Sequence, residues 1–286
     1  MPKRDADPAN LIAFQGAPGA YSDLACRHAF PQMATLPCTQ FEDAFAAVHD
    51  GRASLGMIPI ENSVAGRVAD IHHLMPDSGL FIIGEHFEPV HHHLLANPGV
   101  TLAAVKTVRS HVHALGQTRE FQRKHKLTPV VAVDTAGAAA ELAAHPDPSV
   151  AAIASELAGE IYGLVSLAHN IEDAAHNTTR FLVMSREAKR APRGAPTVTT
   201  FVFNVRNVPA ALYKALGGFA TNGVNMTKLE SYMVGGQFTA TQFYADVEAH
   251  PDDRPLQLAL EELEFFSTEV KILGVYPAAP ERASKA

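Results

Sequence analysis

An alternation of short apolar segments with segments of helical spacing constrains the fold of this chain more than any other feature. Residues 11–15 and 55–60 are apolar runs of strand length. Between them, Phe41, Phe45 and Val48 recur at the spacing of one helix face. Strands that alternate with helices favour a mostly parallel sheet covered by helices on both faces. The pattern therefore predicts an α/β fold.

Polar residues mark the predicted starts of the helices. Ser22, Ser63 and Ser110 each precede a helical pattern, and a serine hydroxyl is a good N-cap. Thr39 and Glu42 belong to a predicted capping box. We expect the backbone N–H groups of the serine-capped helices to face a crevice at the carboxyl ends of the strands, where anions bind. The apolar face predicted after Ser63 consists of Val64, Val68, Ile71 and Met75.

A second set of strand and helix patterns begins near residue 89. Strands are predicted at 93–96, 107–110, 130–133 and 149–154, with helices after Ser110, Thr135 and Ser155. Two α/β lobes of this size create a crevice between them. We expect one domain at 10–185, with one lobe at 10–88 and 168–185 and the other at 89–167.

Composition argues against several classes of function. A net charge of −7 opposes general binding to nucleic acid, which needs a basic field. No segment approaches the ~20 apolar residues of a membrane span, and the polar first ten residues do not have the form of a secretory signal. Cys26 and Cys38 are expected to be reduced and partly buried thiols. The protein is expected to be cytoplasmic, without nucleic-acid or membrane partners.

The 15 histidines raise the question of a metal site. Two runs, 72–73 and 91–93, consist of adjacent histidines, and neighbouring residues of a strand point to opposite faces. Because such runs chelate poorly, we expect no metal. The sequence also carries no phosphate loop or dinucleotide fingerprint, and no cofactor is expected.

The last third of the chain has the pattern of a separate small domain. Residues 186–197 are rich in Arg, Lys, Ala, Pro and Gly, which indicates a linker. The domain is predicted at 198–277 with the order βαββαβ. Its strands are expected at 199–205, 226–233, 238–247 and 270–276, and its helices from Pro209 and at 255–266.

Two polar motifs are the candidates for chemistry. Pro59-Ile60-Glu61-Asn62-Ser63 ends a predicted strand, and Asn177-Thr178-Thr179-Arg180-Phe181 lies far downstream. With residues 16–22 and the motif Ser110-His111-x-x-Ala114-Leu115-x-Gln117, they resemble the prephenate dehydratase family. The resemblance covers nearly the whole chain, from residue 12 to residue 276.

The resemblance implies conversion of prephenate to phenylpyruvate with loss of carbon dioxide and water. It makes Thr179 the catalytic residue, since a hydroxyl within hydrogen-bond reach can assist departure of the ring hydroxyl. Arg180 is expected to orient the substrate through its pyruvyl carboxylate, because a tight clamp on the ring carboxylate would stabilise the ground state. The expected substrate-binding residues are Glu61, Asn62, Ser63, Ser22, Ser110, His111, Asn177 and Phe181.

Several of these residues also have a purely structural interpretation. Ser63 and Ser110 are good helix caps without any ligand. Glu61 and Asn177 suit turns, where they would bind only backbone groups. His111 suits the exposed first turn of a helix. The sequence leaves these alternatives open.

Residues 199–276 resemble an ACT domain, the amino-acid-sensing module that these dehydratases carry. The resemblance implies phenylalanine as an effector. The expected effector-site residues are Ala210, Ala211, Leu212, Asn222, Asn225, Glu230 and Ser231. The chain departs from the usual motifs, because Ala210 replaces a glycine, and Tyr232 and Met233 replace an arginine and a proline. The strength and sign of the regulation are therefore open, and a purely structural dimerisation module is the alternative.

The predicted fold is a two-lobed, periplasmic-binding-protein-like (type 2) catalytic domain followed by a βαββαβ ferredoxin-like ACT domain, in a homodimer or homotetramer. Two other functions fit the same pattern. An arogenate dehydratase acts on a substrate with an amino group in place of the keto group. A non-enzymatic amino-acid sensor would use the same kind of two-lobed crevice for binding alone.

Overall fold

The computed structural model describes residues 7–68, 71–206, 208–233 and 240–283. They form two compact units. The first unit contains residues 1–69 and 86–181, and the second contains residues 70–85 and 182–286. These units are a property of the folded chain, whereas the domain boundaries predicted from the sequence stay a prediction. Among the described residues, no helix combines the length and the apolar character needed to cross a bilayer.

Strands and helices alternate over much of the chain, as the sequence predicts for an α/β fold, but consecutive strands also occur, as in residues 81–96 and 165–205. The strands are β1 (Leu11–Gln15), β2 (Ala34–Cys38), β3 (Leu55–Asn62), β4 (Gly66–Arg67), β5 (Phe81–Pro89), β6 (His93–Ala96), β7 (Thr107–Ser110), β8 (Thr128–Val131), β9 (Val150–Ala154), β10 (Val165–Ala168), β11 (Thr178–Ser185), β12 (Thr197–Val205), β13 (Met226–Met233), β14 (Ala240–Val247) and β15 (Ser267–Pro277). The helices are α1 (Tyr21–Ala29), α2 (Phe41–His49), α3 (Ile71–Leu74), α4 (Val112–Gly116), α5 (Arg119–His125), α6 (Thr135–Ala144), α7 (Glu156–Tyr162), α8 (Ala211–Thr221), α9 (Arg254–Phe266) and α10 (Pro280–Ala283).

The first sheet of the first unit is built around β1. This strand pairs in parallel with β2 and β3, and β11 lies on the other side of β3. Ile12, Ala13 and Phe14 are completely buried, because an apolar strand in the middle of a sheet is covered on both faces. The buried side of α2 contributes Phe45 and Val48 to this unit, as the helical spacing predicts.

The second sheet of the first unit has the strand order β10-β6-β9-β7-β8. β7 pairs in parallel with β8 and β9, but β6 pairs antiparallel with β9 and β10. The expected mostly parallel arrangement is therefore only partly correct, because the strands that return at β6 and β10 make this sheet mixed. The strand predicted at 130–133 lies two residues earlier, because β8 begins at Thr128. β8 ends at Val131, and Val133 is 93% exposed.

The predicted helix start at Ser63 is wrong. The chain after Asn62 turns back as a hairpin, with β4 antiparallel to β3 and Asn62 opposite Gly66. Gly66 has a φ of 83°, which glycine adopts without the steric cost that other residues meet. The helical spacing of Val64, Val68, Ile71 and Met75 continues only into the single turn of α3.

The two other predicted serine caps are also wrong, whereas the helix predicted after Ser155 is confirmed. The N-cap of α1 is Ala20, so Ser22 lies inside the first turn. The N-cap of α4 is His111, because the buried Ser110 hydroxyl donates to Ile153 O instead. Ser155 does cap α7, and its hydroxyl accepts from Ala158 N.

The predicted capping box before α2 is displaced by one residue. It is formed by Gln40 and Asp43, whose carboxylate accepts from Gln40 N at 3.1 Å. Thr39 and Glu42 therefore do not form it.

The second unit contains the predicted βαββαβ order, as β12, α8, β13, β14, α9 and β15. Its strand order is β13-β14-β12-β15, with antiparallel pairing throughout. Residues of α8 and α9 pack on one face of this sheet, including Phe219, Leu256 and Leu263. The predicted strand at 238–247 is present from residue 240, whereas Phe238 lies outside the described residues.

Ala210 has a left-handed backbone at the start of α8. Its φ is 63° and its ψ is 11°, and it is the N-cap of the helix. A non-glycine residue in this region has its Cβ too close to the backbone, which costs roughly 1–2 kcal/mol. The family motif has glycine here, so the substitution that distinguishes this chain carries a conformational cost.

We predict that Ala210→Gly raises the free energy of unfolding of the second unit by about 0.5–1 kcal/mol, because relief of the left-handed strain exceeds the entropy cost of glycine. Urea denaturation followed by circular dichroism measures the change. The matched control is Ala220→Gly at an exposed position in the last turn of α8, which should lower stability by up to about 1 kcal/mol, because glycine has the lower helix propensity. Equal losses in both variants would contradict the assignment of strain to Ala210.

Candidate active site

The two polar motifs lie side by side in the first unit, although more than a hundred residues separate them in sequence. Ser63 N donates to Thr178 O at 2.9 Å. The Ser63 hydroxyl donates to His176 O at 2.6 Å and accepts from Thr178 N at 3.0 Å. Ser63 therefore holds the end of β3 against the start of β11. Its hydroxyl is used in this link and not as a helix cap.

The side chain of Asn62 has an orientation that the backbone fixes. Its Oδ1 accepts from Val64 N at 3.0 Å and from Ala65 N at 2.7 Å. Because backbone N–H groups can only donate, this oxygen cannot be exchanged with the amide nitrogen. The Nδ2 group must therefore face Thr179 Oγ1 at 3.0 Å and Asn177 Oδ1 at 2.8 Å, with Thr178 O at 3.3 Å.

This orientation fixes the groups that follow in the network. Asn177 Oδ1 accepts from Asn62, so Asn177 Nδ2 donates to Gln117 Oε1 at 3.0 Å. The same oxygen lies 2.9 Å from His92 Nε2, which must then carry a proton. Gln117 Nε2 faces Asn62 Oδ1 at 3.4 Å and closes the ring of amides. The donor and acceptor roles of all these side chains thus follow from the two backbone N–H groups that bind Asn62 Oδ1.

The network ends at a buried histidine and tyrosine. Burial lowers the pKa of His92, although the hydrogen bond to Gln117 opposes this shift. The neutral ring has its proton on Nε2, so Nδ1 can only accept, and the one proton of the Tyr21 hydroxyl faces both His92 Nδ1 and His91 O, each at 2.8 Å. Burial, assisted by Glu172, also raises the pKa of Tyr21 well above its usual value. Both groups are therefore neutral near pH 7.

The Thr179 hydroxyl has a proton that the network does not use. Its oxygen accepts from Asn62 Nδ2, and no acceptor for its own proton is found in the part of the chain that the structure describes. The side chain is only partly buried. Thr179 can therefore donate a hydrogen bond to a ligand while Asn62 holds its oxygen in place.

Arg180 is directed away from Thr179. Successive residues of a strand point to opposite faces, and their contacts agree with this rule. Arg180 Nη1 donates to Glu61 Oε1 at 2.9 Å, and the arginine side chain is only 4% exposed. The pair Glu61–Arg180 therefore lies on one face of β3 and β11, and the pair Asn62–Thr179 lies on the other.

The other predicted site residues lie apart from this network. Ser22 is buried in α1, and Phe181 is a core residue with 1% exposure. Ser110 is completely buried. His111 Nδ1 accepts from His113 N, and burial lowers the pKa of its ring. In the part of the chain that the structure describes, none of these four has a hydrogen bond to Asn62 or Thr179.

The loop between β1 and α1 contacts α7 of the second sheet. The Ser155 hydroxyl donates to Gly19 O, and the Tyr162 hydroxyl donates to Pro18 O at 2.9 Å. Gly19 has a φ of 88°, and a Cβ there would lie 2.7 Å from Ala158 Cα. Only glycine permits this approach, so it fixes the loop that leads into α1, whose first residue is Tyr21.

Three members of the network were missed as site residues. Gln117 and Tyr21 both lie in motifs of the sequence, but their residue types alone do not indicate a role. His92 gave no signal beyond its place in a histidine run. Their importance follows from the order of hydrogen bonds, which the fold creates.

The predicted effector residues are distributed over the second unit. Ala210, Ala211 and Leu212 form the start of α8, and Asn222 is its C-cap. Asn225 Nδ2 donates to Glu248 Oε2 at 2.8 Å. On β13, Glu230 lies 3.3 Å from Lys228 Nζ. Ser231 pairs with Phe243 on β14, and Tyr232 is buried against His72.

Known proteins resemble this chain over nearly its full length. The prephenate dehydratase family model matches residues 12–189. A protein of Komagataeibacter europaeus named bifunctional N-acyl-homoserine lactone acylase/prephenate dehydratase is 56% identical over 95% of this chain and 97% of its own length. An Arabidopsis thaliana protein named arogenate dehydratase/prephenate dehydratase 1, chloroplastic, is 39% identical over 96% of this chain and 74% of its own.

A solved structure has the same fold. It is a prephenate dehydratase from Arthrobacter aurescens in complex with L-Phe, with 32% identity and a TM-score of 0.86. The similarity covers 94% of this chain and 90% of that one.

We predict that Asn62→Asp destabilises the first unit by roughly 1–3 kcal/mol, because a carboxylate would face the acceptor oxygen of Asn177 and leave it unpaired, although the Thr179 hydroxyl can rotate and donate to it. Thermal and urea denaturation at pH 7 measure the change. Asn10→Asp introduces the same charge at an exposed position and should change stability little. A loss no larger than that of this control would show that the derived donor roles are incorrect.

Proposed function

The chain belongs to the prephenate dehydratase family, and from this premise we propose that it catalyses the decarboxylating dehydration of prephenate to phenylpyruvate. The observation that carries the proposal is the hydrogen bond from Asn62 Nδ2 to Thr179 Oγ1 at 3.0 Å. It leaves the hydroxyl proton of Thr179 available for the substrate. Thr179 is the proposed catalytic residue.

The proposed reaction needs assistance at one bond. The ring carboxylate leaves as carbon dioxide, the electron pair of that bond moves into the ring, and the ring hydroxyl leaves with one added proton as water. Aromatisation supplies the driving force. A donor that strengthens its hydrogen bond as negative charge develops on the leaving oxygen stabilises the transition state more than the ground state. The Thr179 hydroxyl has this role in the proposal.

The network supports Thr179 by geometry and does not supply its proton. Asn62, Asn177 and Gln117 are amides, whose N–H groups are not acidic enough to pass protons along a chain. His92 is neutral and separated from Thr179 by these amides. The proton added to the leaving hydroxyl therefore comes from solvent or from the substrate side of the site. Pre-orientation of a single donor is the contribution of the network.

Arg180 has a positioning role in this proposal. Its buried guanidinium is bonded to Glu61, the residue before Asn62. The pair therefore keeps the ends of β3 and β11 in register, so that Asn62 stays opposite Thr179. Loss of the Glu61 carboxylate would remove an ion-pair partner from a buried guanidinium, which is destabilising.

We predict that Thr179→Val lowers kcat for prephenate by about 100-fold or more, because the isosteric side chain cannot donate to the leaving oxygen. Thr179→Ser should retain most of the activity. The neighbouring residue provides the matched control, since Thr178 points to the other face of β11, and Thr178→Val should stay close to the wild type. Absorbance of phenylpyruvate in a continuous assay measures all four proteins.

Comparable rates for Thr179→Val and Thr178→Val would contradict the catalytic role of Thr179. Arg180→Gln in the same assay separates positioning from substrate contact. A positioning residue gives a lower melting temperature together with a lower kcat. A residue that binds the substrate directly gives a raised KM at an unchanged melting temperature.

Two other substrates belong in the same assay. The Arabidopsis relative carries arogenate in its name, and arogenate differs from prephenate only by an amino group in place of the keto group. The relative with 56% identity carries an N-acyl-homoserine lactone acylase activity in its name, and this identity favours acyl-amide hydrolysis as a second candidate function. Hydrolysis that persists in Thr179→Val would assign it to a different set of residues from the dehydratase reaction.

We also propose that phenylalanine binds the βαββαβ part of the second unit and inhibits the enzyme. The relative from Arthrobacter aurescens has L-Phe in its complex, and the ACT-like motifs lie on α8 and β13 of this chain. Regulation requires that the effector favours one of two conformations of the protein. A homodimer or homotetramer is part of this proposal.

We predict that L-phenylalanine raises the melting temperature and lowers the rate of phenylpyruvate formation over the same concentration range. Binding to the folded state alone adds about 2.7 kcal/mol of stability at 100 times Kd. D-Phenylalanine is the control for non-specific effects and should change neither quantity. No change in either measurement with L-phenylalanine would support a purely structural module.

A further inference from the structure

A cavity of about 840 Å³ in the first unit lies apart from the proposed active site. Its wall contains neither Asn62 nor Thr179. Ionisable side chains make up much of the wall, and they include Arg27, His28, Glu88, His91, His93, Glu156, Glu160 and His169. The proposed reaction uses none of these groups.

Two of the four histidines on this wall have a carboxylate partner. His28 Nδ1 lies 3.0 Å from Glu88, and His91 Nδ1 lies 2.8 Å from Glu172. His93 differs, because its Nδ1 faces another nitrogen, His169 Nδ1, at 3.1 Å. The Ser166 hydroxyl donates to Ala168 O, and its oxygen lies 3.3 Å from His93 Nδ1 and 3.5 Å from His169 Nδ1, where it can accept from one ring.

Two imidazole nitrogens in this position need an electrophile between them. A single proton can bridge them, but two protonated rings would repel each other. A metal ion binds two nitrogens at ~2.0–2.1 Å each, so tetrahedral ligands lie roughly 3.3 Å apart. The observed separation of 3.1 Å is close to this value. The spacing therefore suits two ligands of one ion, and it equally suits a hydrogen bond between two neutral rings when no ion is bound.

A carboxylate completes the set. Ligand atoms of His93, His169 and Glu156 all lie within 4.8 Å of one another. Among the described residues they form the one group of three His, Cys, Asp or Glu side chains with such spacing. Glu156 is exposed, so its side chain can move the short distance to the ion. Burial lowers the pKa of His93, which keeps its ring neutral and able to bind a metal at neutral pH.

We propose that His93, His169 and Glu156 bind a divalent transition-metal ion of the zinc class. Two imidazole nitrogens and one carboxylate oxygen suit Zn²⁺ or Co²⁺ better than Mg²⁺ or Ca²⁺, which prefer oxygen ligands. Three protein ligands leave the fourth position to water. The ion would connect β6, the residue after β10 and the first turn of α7.

The experiment is a calorimetric titration of the full chain, treated with EDTA and dialysed, with Zn²⁺. We expect one strong site per chain with a micromolar or lower Kd. Co²⁺ in place of Zn²⁺ should give the visible absorption of a tetrahedral site. His93→Asn, His169→Asn and Glu156→Gln should each weaken Zn²⁺ binding at least tenfold and remove the Co²⁺ spectrum.

Two histidine variants outside the set control for non-specific binding. His145→Asn removes an exposed histidine, and His28→Asn removes a paired histidine of the same cavity. Both should keep the strong site and the Co²⁺ spectrum. Melting temperatures without metal establish that each variant is folded, and the exposed Glu156→Gln change provides a test that does not disturb the core.

Two results would overturn the proposal. The first is the absence of a strong site in the wild type, with only weak binding of several ions per chain. The second is a strong site that survives in His93→Asn, His169→Asn and Glu156→Gln as it does in the controls. Because none of these residues has a part in the proposed dehydratase reaction, neither result would bear on that function.

Discussion

The arrangement of the candidate active site depends on one constraint. Asn62 Oδ1 accepts hydrogen bonds from two backbone N–H groups. Once this oxygen is fixed, the amide nitrogen must face Thr179 and Asn177, and the roles of Gln117 and His92 follow in turn. A carboxylate at position 62 would satisfy the backbone, but it could not donate to Asn177 and would take the hydroxyl proton of Thr179. Position 62 therefore requires an asparagine, because the side chain must accept through its oxygen and donate through its nitrogen.

Where β3 and β11 pair, one face of the two strands carries residues with a structural role and the other face carries the proposed catalytic residue. Side-chain alternation places the Glu61–Arg180 ion pair on one face and the Asn62–Thr179 hydrogen bond on the other. The ion pair joins a buried guanidinium to a partly exposed carboxylate and holds the register of the two strands at a cost in desolvation of the arginine. The neighbouring hydroxyl stays partly exposed and uncharged. Residues that are adjacent in the motif thus have different tasks because they lie on a strand.

Features that depend on the local sequence pattern were predicted correctly. Predictions were wrong where contacts with a segment distant in sequence determine the local structure. The apolar runs correctly predicted β1 and β3, and the βαββαβ order of the second unit is confirmed. The helix after Ser63 is wrong, because the Asn62 turn and Gly66 redirect the chain into a hairpin that Thr178 completes. Ser110 fails as a cap because Ile153 accepts its hydroxyl proton. The family motifs predicted that residues 61–63 and 177–180 belong together, but not that Gln117 joins them.

The run His91-His92-His93 shows why the network and the cavity have different chemistry. Alternation along the extended chain directs His92 into the network, whereas His91 and His93 line the cavity. The network beyond His92 consists of amides and a threonine, which do not titrate near neutral pH, so the orientation of Thr179 does not depend on pH through its own partners. The cavity instead collects imidazoles and carboxylates, whose charges respond to protons and metal ions. One extended segment therefore joins a fixed donor site to a region that is sensitive to the ionic environment.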